Sequence, residues 1–272
     1  MRRILIPLAL AAGLILPAAA SARAKTYTAS SGGLSAKLVS TGSLVRPKPP
    51  TLTLTRGTKT LFHGTVTNRA CGTGCVPSLA PADPPLRFAA LDGAGSHDLL
   101  VNLYSGGANC CQVLDLLRPS AALGGQYVVS ASHNFAYAGY RLERIGGRLV
   151  FVSADPTFST VFTDFASSGL PVQILHLSGV RFANVTARYP RLVRRDAARW
   201  LRAYHRANGR NDVGLIAPWA ADEARLGHWS SAHAYLVSQA RAGRLRSAFS
   251  GEGGMRFISQ LERLLHREGY LK

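Results

Sequence analysis

The chain has 272 residues, 47% of them hydrophobic, with 32 Lys and Arg against 14 Asp and Glu for a formal net charge of +18. That length and apolar content suffice for a substantial core in one large or two modest domains, and no long apolar run follows the first 24 residues, which argues against further membrane-spanning helices. The basic excess favours anionic partners such as nucleic acid, anionic lipid or acidic wall polymers, although an Arg- and Ala-rich composition also follows from GC-rich coding.

Residues 1–24 read as an export leader: Arg2 and Arg3, an apolar run over residues 4–16, then Pro17 and small residues ending Ala22-Arg23-Ala24. The run is too short to span a bilayer comfortably. A second Ala-x-Ala site at Ala18 and Ala20 leaves the cleavage point open by a few residues, and no cysteine nearby points to lipid attachment. The expectation is a secreted or extracytoplasmic mature chain of about 248 residues, its charge reduced to +15 by the loss of Arg2, Arg3 and Arg23.

Residues 25–187 read as β-structure. Tyr27 and Ala29 alternate before a Ser31-Gly32-Gly33 turn, and Leu34, Ala36 and Leu38 alternate after it. VRPKPP at 45–50 is a stiff extended connector, and Leu52 and Leu54 between threonines mark a half-buried strand. CGTGC at 71–75 is a tight turn supported by glycine. Gly146-Gly147 and Ser178-Gly179 each separate two apolar runs, a hairpin signal at two-residue spacing. Roughly a dozen short strands follow from this pattern, an all-β unit.

After Pro190 the period changes to that of a helix: Ala197, Trp200, Leu201 and Tyr204 recur on one face. Pro218, with Asp222 and Glu223 behind it, predicts the start of a second helix ended by Gly227. Ser230 is placed as the cap of a third that runs to Ala242. Phe257, Ile258, Leu261, Leu264 and Leu265 mark a fourth, stopped near Gly269. Residues 188–272 thus form a small helical unit, and the fold class is α+β, β-rich first and helical last. The span 217–242 resembles one tetratricopeptide hairpin, but about three repeats are needed for a binding solenoid. Ordinary packing explains it, and explains Trp200, Trp219 and Trp229.

The densest stretch is 91–117, where a Gly- and Asp-rich turn, an apolar strand, a Gly-Gly turn and two adjacent cysteines meet. All four cysteines, Cys71, Cys75, Cys110 and Cys111, lie after the leader. An even number in an oxidising compartment implies two disulfides, with three connectivities open. Four thiolates on zinc are the sharper alternative, but the vicinal pair lacks the usual ligand spacing. The local pattern, Cys71 with Cys75 and Cys110 with Cys111, is slightly preferred to a crossed one. Structural bridging is preferred to a redox-active vicinal pair.

No G-x-S-x-G elbow or H-E-x-x-H motif is present. A Cys-His nucleophile would need His97, His133 or His176 near the cysteines, so a hydrolase with its site between Tyr104 and Cys111 and at His133 is the runner-up reading. No cofactor is called for. Arg191, Arg194, Arg195, Arg199, Arg202 and Arg206 cover the helix face opposite Trp200 and Tyr204. A solvated face is the plain reading, and anion binding by Arg194, Arg195, Arg199, Arg202 and Arg206 the sharper one. Anionic envelope polymers or lipid headgroups are the partners this suggests. No nucleic-acid fold signature accompanies them, which argues against a nucleic-acid role.

The segment ALDGAGSHDLLV at 90–101 resembles the calcium loop of FG-GAP or VCBS repeats, the integrin-α-like propeller repeats. Asp92, Gly93, Gly95 and Asp98 match that pattern, while Ala90 and Ala94 stand where two further carboxylates belong. YRLERIGGRLVFVSAD at 140–155 looks like a second copy with the acidic loop deleted. The larger frame resembles secreted actinobacterial proteins carrying such repeats. The resemblance implies an extracytoplasmic location and blade-like antiparallel meanders, and carries no activity. Calcium needs about six to eight oxygen ligands, so Asp92 and Asp98 alone predict no physiological metal site. The β-region is also too short for the four blades of a closed propeller, so an open or sandwich-like array is expected. The reading that follows is a non-catalytic interaction or structural module of the envelope or extracellular space.

Overall fold

The computed structural model describes residues 24–72, 74–80, 83–93, 95–106, 110–207, 212–247 and 253–272. The leader, apart from Ala24, lies outside the described residues, as do Ala94 and positions 107–109 of the Gly-Gly turn.

Three antiparallel sheets and a helical layer are stacked in chain order. The first sheet is a four-strand meander, β1 (Lys25–Ser31), β2 (Leu34–Ser40), β3 (Thr51–Arg56) and β4 (Lys59–Thr65). The second contains β5 (Val76–Pro77), β6 (Leu86–Ala89), β7 (Asp98–Tyr104), β8 (Gln112–Ser120) and β9 (Gln126–Asn134). The third is another four-strand meander, β10 (Arg141–Ile145), β11 (Arg148–Ala154), β12 (Val172–Ser178) and β13 (Arg181–Asn184). These are blade-like meanders in an open array, with no closed barrel among the described residues.

Alternation along each strand decides what faces what. In the first sheet Leu34, Ala36, Leu38, Leu52 and Leu54 point inward, against Leu99, Val101, Leu103 and Val113 of the second. The other face of the second sheet carries Leu100, Leu114 and Leu116, which meet Phe151, Leu175 and Leu177 of the third. The middle sheet is therefore covered on both faces, and β7 and β8 read LLVNL and VLDLL instead of alternating with polar residues. Truncating a residue such as Leu100, fully enclosed, would cost about 2–5 kcal/mol.

β5 and β6 both pair with the same side of β7, Val76 with Tyr104 and Leu86 with Val101. They are one edge strand, broken opposite Asn102 by the loop between them. The Asn102 backbone bridges the break, accepting from Ser78 N and donating to Pro85 O, each at 2.9 Å.

The far face of the third sheet, Val150, Val152, Val172 and Ile174, receives Val193 of helix α1 (Pro190–Arg206). Helices α2 (Asp212–Arg225), α3 (Trp229–Arg241) and α4 (Gly254–Arg267) complete the layer. Their core includes Trp219, Leu236, Phe257 and Leu261, and draws in Phe158, Phe162 and Leu170 from before the helices.

Helix α2 departs from expectation. It starts at Asp212, and Pro218 lies inside it. Proline cannot donate to the carbonyl four residues back, which belongs to Gly214. Gly169 N donates to that carbonyl at 2.9 Å, so the broken rung is repaired by a distant loop. Ser230 lies inside α3, whose N-cap position is His228.

Candidate functional site

A cleft of about 800 Å³ opens where α1 crosses the edges of the second and third sheets. One wall is the flank of α1 that carries Arg195, Arg199 and Arg202, spaced four and three residues apart and so on one face of a helix. All three are exposed. Val193, Ala197 and Tyr204 occupy the buried face of the same helix, which fixes that flank toward the cleft. Arg194 and Arg206 also lie on α1 and are exposed, but they do not line the cleft. The five arginines singled out together in the sequence are thus split by the structure, three in the cleft and two off it.

The opposite wall and floor come from residues that sequence reasoning did not select: Asp83, Gln112, Gly139, Tyr140 and Arg141. They are held as a unit. Gln112 Nε2 donates to Asp83 Oδ2 at 2.7 Å, Tyr140 Oη donates to Asn102 Oδ1 at 2.7 Å, and Asn102 Nδ2 donates to Pro84 O at 2.7 Å. Burial pushes the Asp83 carboxyl above its usual range, opposed by the bonds from Gln112 and the Tyr140 backbone. Gly139 adopts φ +60°, and a Cβ there would collide with Gln112 Oε1, so only glycine lets the two approach.

At the base of α1, Asp196 ties the helix to the sheet. Its Oδ2 accepts from Val172 N at 2.9 Å and from Trp200 Nε1 at 3.1 Å, while Oδ1 lies 2.6 Å from Arg199 Nη2. Arg199 also stacks on Trp200, 4.5 Å from the ring centre. The Val172 carbonyl is taken by Arg225 Nη1 at 2.9 Å, so one residue of β12 is clamped from both sides by helices. Behind Asp196 sits Asp222, fully enclosed and, among the described residues, without a donor aimed at either oxygen. Burial, then the neighbouring Asp196, pushes its carboxyl up to about 9. It is therefore protonated at neutral pH, and that proton relieves the repulsion between the two carboxyls. Asp222 could have been suspected as an acid set within a largely apolar helical stretch, whereas Asp196, directly after Arg194 and Arg195, carries no such signal.

The arrangement offers guanidiniums on an open rim and a hydrogen-bonded polar floor. Its carboxyls are already engaged, Asp196 by three partners and Asp83 by two. Among the described residues no histidine, serine–histidine pair or cysteine lines it, and its half-buried Ser153 donates to Gly139 O at 2.5 Å. Such a site can hold an anion by bidentate contacts.

The other candidates lie elsewhere. Cys71 pairs with Cys75 and Cys110 with Cys111, the local pattern, and no described cysteine is free. Cys110 and Cys111 pack on the face of the middle sheet toward the first sheet. His133 is on the opposite face, its ring 4.5 Å from that of Phe135 and 4.8 Å from that of Phe182, and burial lowers its pKa. The sheet itself separates His133 from the cysteines. His97 lies 3.3 Å from Ser31 Oγ, and His176 lines a hollow of about 330 Å³ with Arg144 and Arg148. Asp98 is almost fully buried and accepts from Leu91 N at 2.9 Å and Ser96 Oγ at 3.1 Å. Arg118 spans Asp98 and Asp92, at 2.8 Å and 3.0 Å, so a guanidinium occupies the space between the loop's two carboxylates.

Among the described residues no helix is long and apolar enough to cross a membrane. The two disulfides are compatible with an extracellular protein. No family model, curated protein or solved structure matches the chain.

Proposed function

We propose that the chain is a non-catalytic, extracytoplasmic binding module whose α1 cleft takes an anionic polymer of the cell envelope. The observation that carries this is the convergence of Arg195, Arg199 and Arg202 on one side of the cleft. Arg195 and Arg202 make no ion pair among the described residues, and they are set seven residues apart, about 10 Å along the helix axis. That separation suits a ligand with repeated negative groups, such as a phosphodiester or uronate chain. Only Arg199 is partly neutralised, by Asp196. The surrounding charge of +9 over residues 188–272, from 16 Lys and Arg against 7 Asp and Glu, adds long-range attraction.

Retention of the chain on an immobilised phosphodiester polymer, eluted with salt, tests the reading. Elution well below 1 M salt is expected, because the screening length falls from about 10 Å at 0.1 M to about 3 Å at 1 M. No retention at low salt would refute it.

A further inference from the structure

We propose that the loop between β2 and β3 is a membrane-contacting tip, and that the first sheet docks on an anionic lipid bilayer with Leu44 and Val45 inserted among the headgroups. This stands apart from the α1 cleft and uses none of its residues.

Val45 is 89% exposed and Leu44 52%, neighbours in sequence at the crest of one turn. The turn is formed, not frayed: Ser43 N donates to Arg46 O at 3.0 Å, and Arg46 N donates to Ser43 Oγ at 3.1 Å. Its base is closed by the approach of Gly42 to the Lys48 backbone, so close that a Cβ at 42 has no room. The Pro47 and Pro49 arm lies against Gly74 in the loop closed by Cys71 and Cys75, and Pro50 O accepts from Val66 N at 2.9 Å. A rigid, disulfide-backed stalk therefore holds two branched aliphatic side chains in solvent. Their hydration is unfavourable, and Val45 stands almost wholly in solvent with Leu44 half exposed beside it.

Charge identifies the partner. Residues 24–82 contain seven Lys and Arg and not one Asp or Glu; the first acidic residue is Asp83. Arg46 and Lys48 flank the tip directly, and Arg69 is exposed beside the disulfide loop. An apolar tip flanked by Arg46 and Lys48 matches the two layers of an anionic bilayer surface, phosphate outside and acyl chain beneath, while Arg56 and Lys59 lie at the opposite end of the sheet. A protein partner would supply an apolar pocket but has no reason to require that every carboxylate be missing from the unit around it. Each basic residue near the surface adds attraction, and the aliphatic pair supplies the part that salt does not screen.

The test uses the chain from Lys25 onward, which holds every described strand and helix but lacks the apolar run 4–16 that would itself partition into lipid. Cosedimentation with vesicles of phosphatidylglycerol and phosphatidylcholine, and with phosphatidylcholine alone, measures binding. The parent is expected on the anionic vesicles, and Leu44→Ser with Val45→Ser to weaken that binding about tenfold or more. Both positions are solvent-exposed, and an unchanged melting temperature confirms that the variant folds. Val45→Trp places a reporter at the tip, and brominated acyl chains should quench its added fluorescence. Equal binding by parent and serine variant, or an unquenched signal from the introduced tryptophan on bound protein, overturns the proposal. Retention on a phosphodiester polymer without binding to vesicles overturns it too, while leaving the α1 cleft untouched.

Discussion

The Arg118 guanidinium lies 2.8 Å from the Asp98 carboxylate, and both side chains are largely buried, at 14% and 3% exposure. Asp92 completes the contact from the solvent side at 3.0 Å. These are ion-pair contacts through Nε and Nη2, while Nη1 donates to Gly179 O at 3.1 Å and so links the middle sheet to the turn between β12 and β13. The space between the loop's two carboxylates is thus filled by a cation of the chain itself.

Removing Arg118 would leave Asp98 buried and uncompensated. Arg118→Ala is expected to cost about 3 kcal/mol in denaturant unfolding, and Asp98→Asn added to it should recover part of the loss. For the unaltered chain, melts in excess calcium and in chelator should superimpose, because the guanidinium fills the position between the carboxylates. A calcium-dependent rise in melting temperature would contradict this.

The Asp222 carboxyl gives a second test, through pH. Its folded value of about 9 lies above the ordinary 3.8, so the folded chain holds a proton that the unfolded chain releases. The associated stability is complete below about pH 4, declines as pH rises, and is lost as pH passes about 9. Asp222→Asn removes this proton linkage. It should flatten the decline between pH 5 and 9 relative to the parent, and be the more stable form at pH 9 by about 1–3 kcal/mol. A variant that tracks the parent at every pH would show that Asp222 is not the buried acid. Burial raises Asp83 and Asp115 in the same direction, so the difference between variant and parent is the quantity to read.

Non-reducing peptide mapping should return one cross-linked unit holding Cys71 and Cys75 and another holding Cys110 and Cys111. A peptide linking Cys71 to Cys110 or Cys111 would contradict the structure. Closing so short a loop at Cys71 restricts the unfolded chain by only about 2 kcal/mol, less than a crossed pattern would.

What was legible in the sequence is what is local. The hairpin at Gly146-Gly147 is where its turn chemistry put it, as β10–β11, while that expected at Ser178-Gly179 forms as β12–β13 with its turn one residue later, at Gly179-Val180. The arginine flank of α1 follows from helical spacing. The start of α2 did not follow, because Pro218 signals a helix N-terminus unless a remote donor replaces its missing hydrogen bond, and Gly169 does so. The cleft was half legible for the same reason. Its arginine wall is one helix, whereas Asp83, Gln112 and Arg141 reach it from three separate segments brought together by sheet stacking. The apolar strands within 91–117 were legible as strands, but their burial on both faces, between the first and third sheets, was not read from the sequence.

On the proposed function, the α1 cleft, and not net charge alone, holds the anion. Two variants of equal charge separate these: Arg195→Ser, Arg199→Ser and Arg202→Ser in the cleft, against Arg191→Ser, Arg194→Ser and Arg206→Ser outside it. Affinity for a soluble phosphodiester polymer at 0.1 M salt is the measurement. The cleft variant is expected to lose tenfold or more relative to the outer variant, with both folded by melting temperature. Equal loss in the two, or none in either, would contradict it.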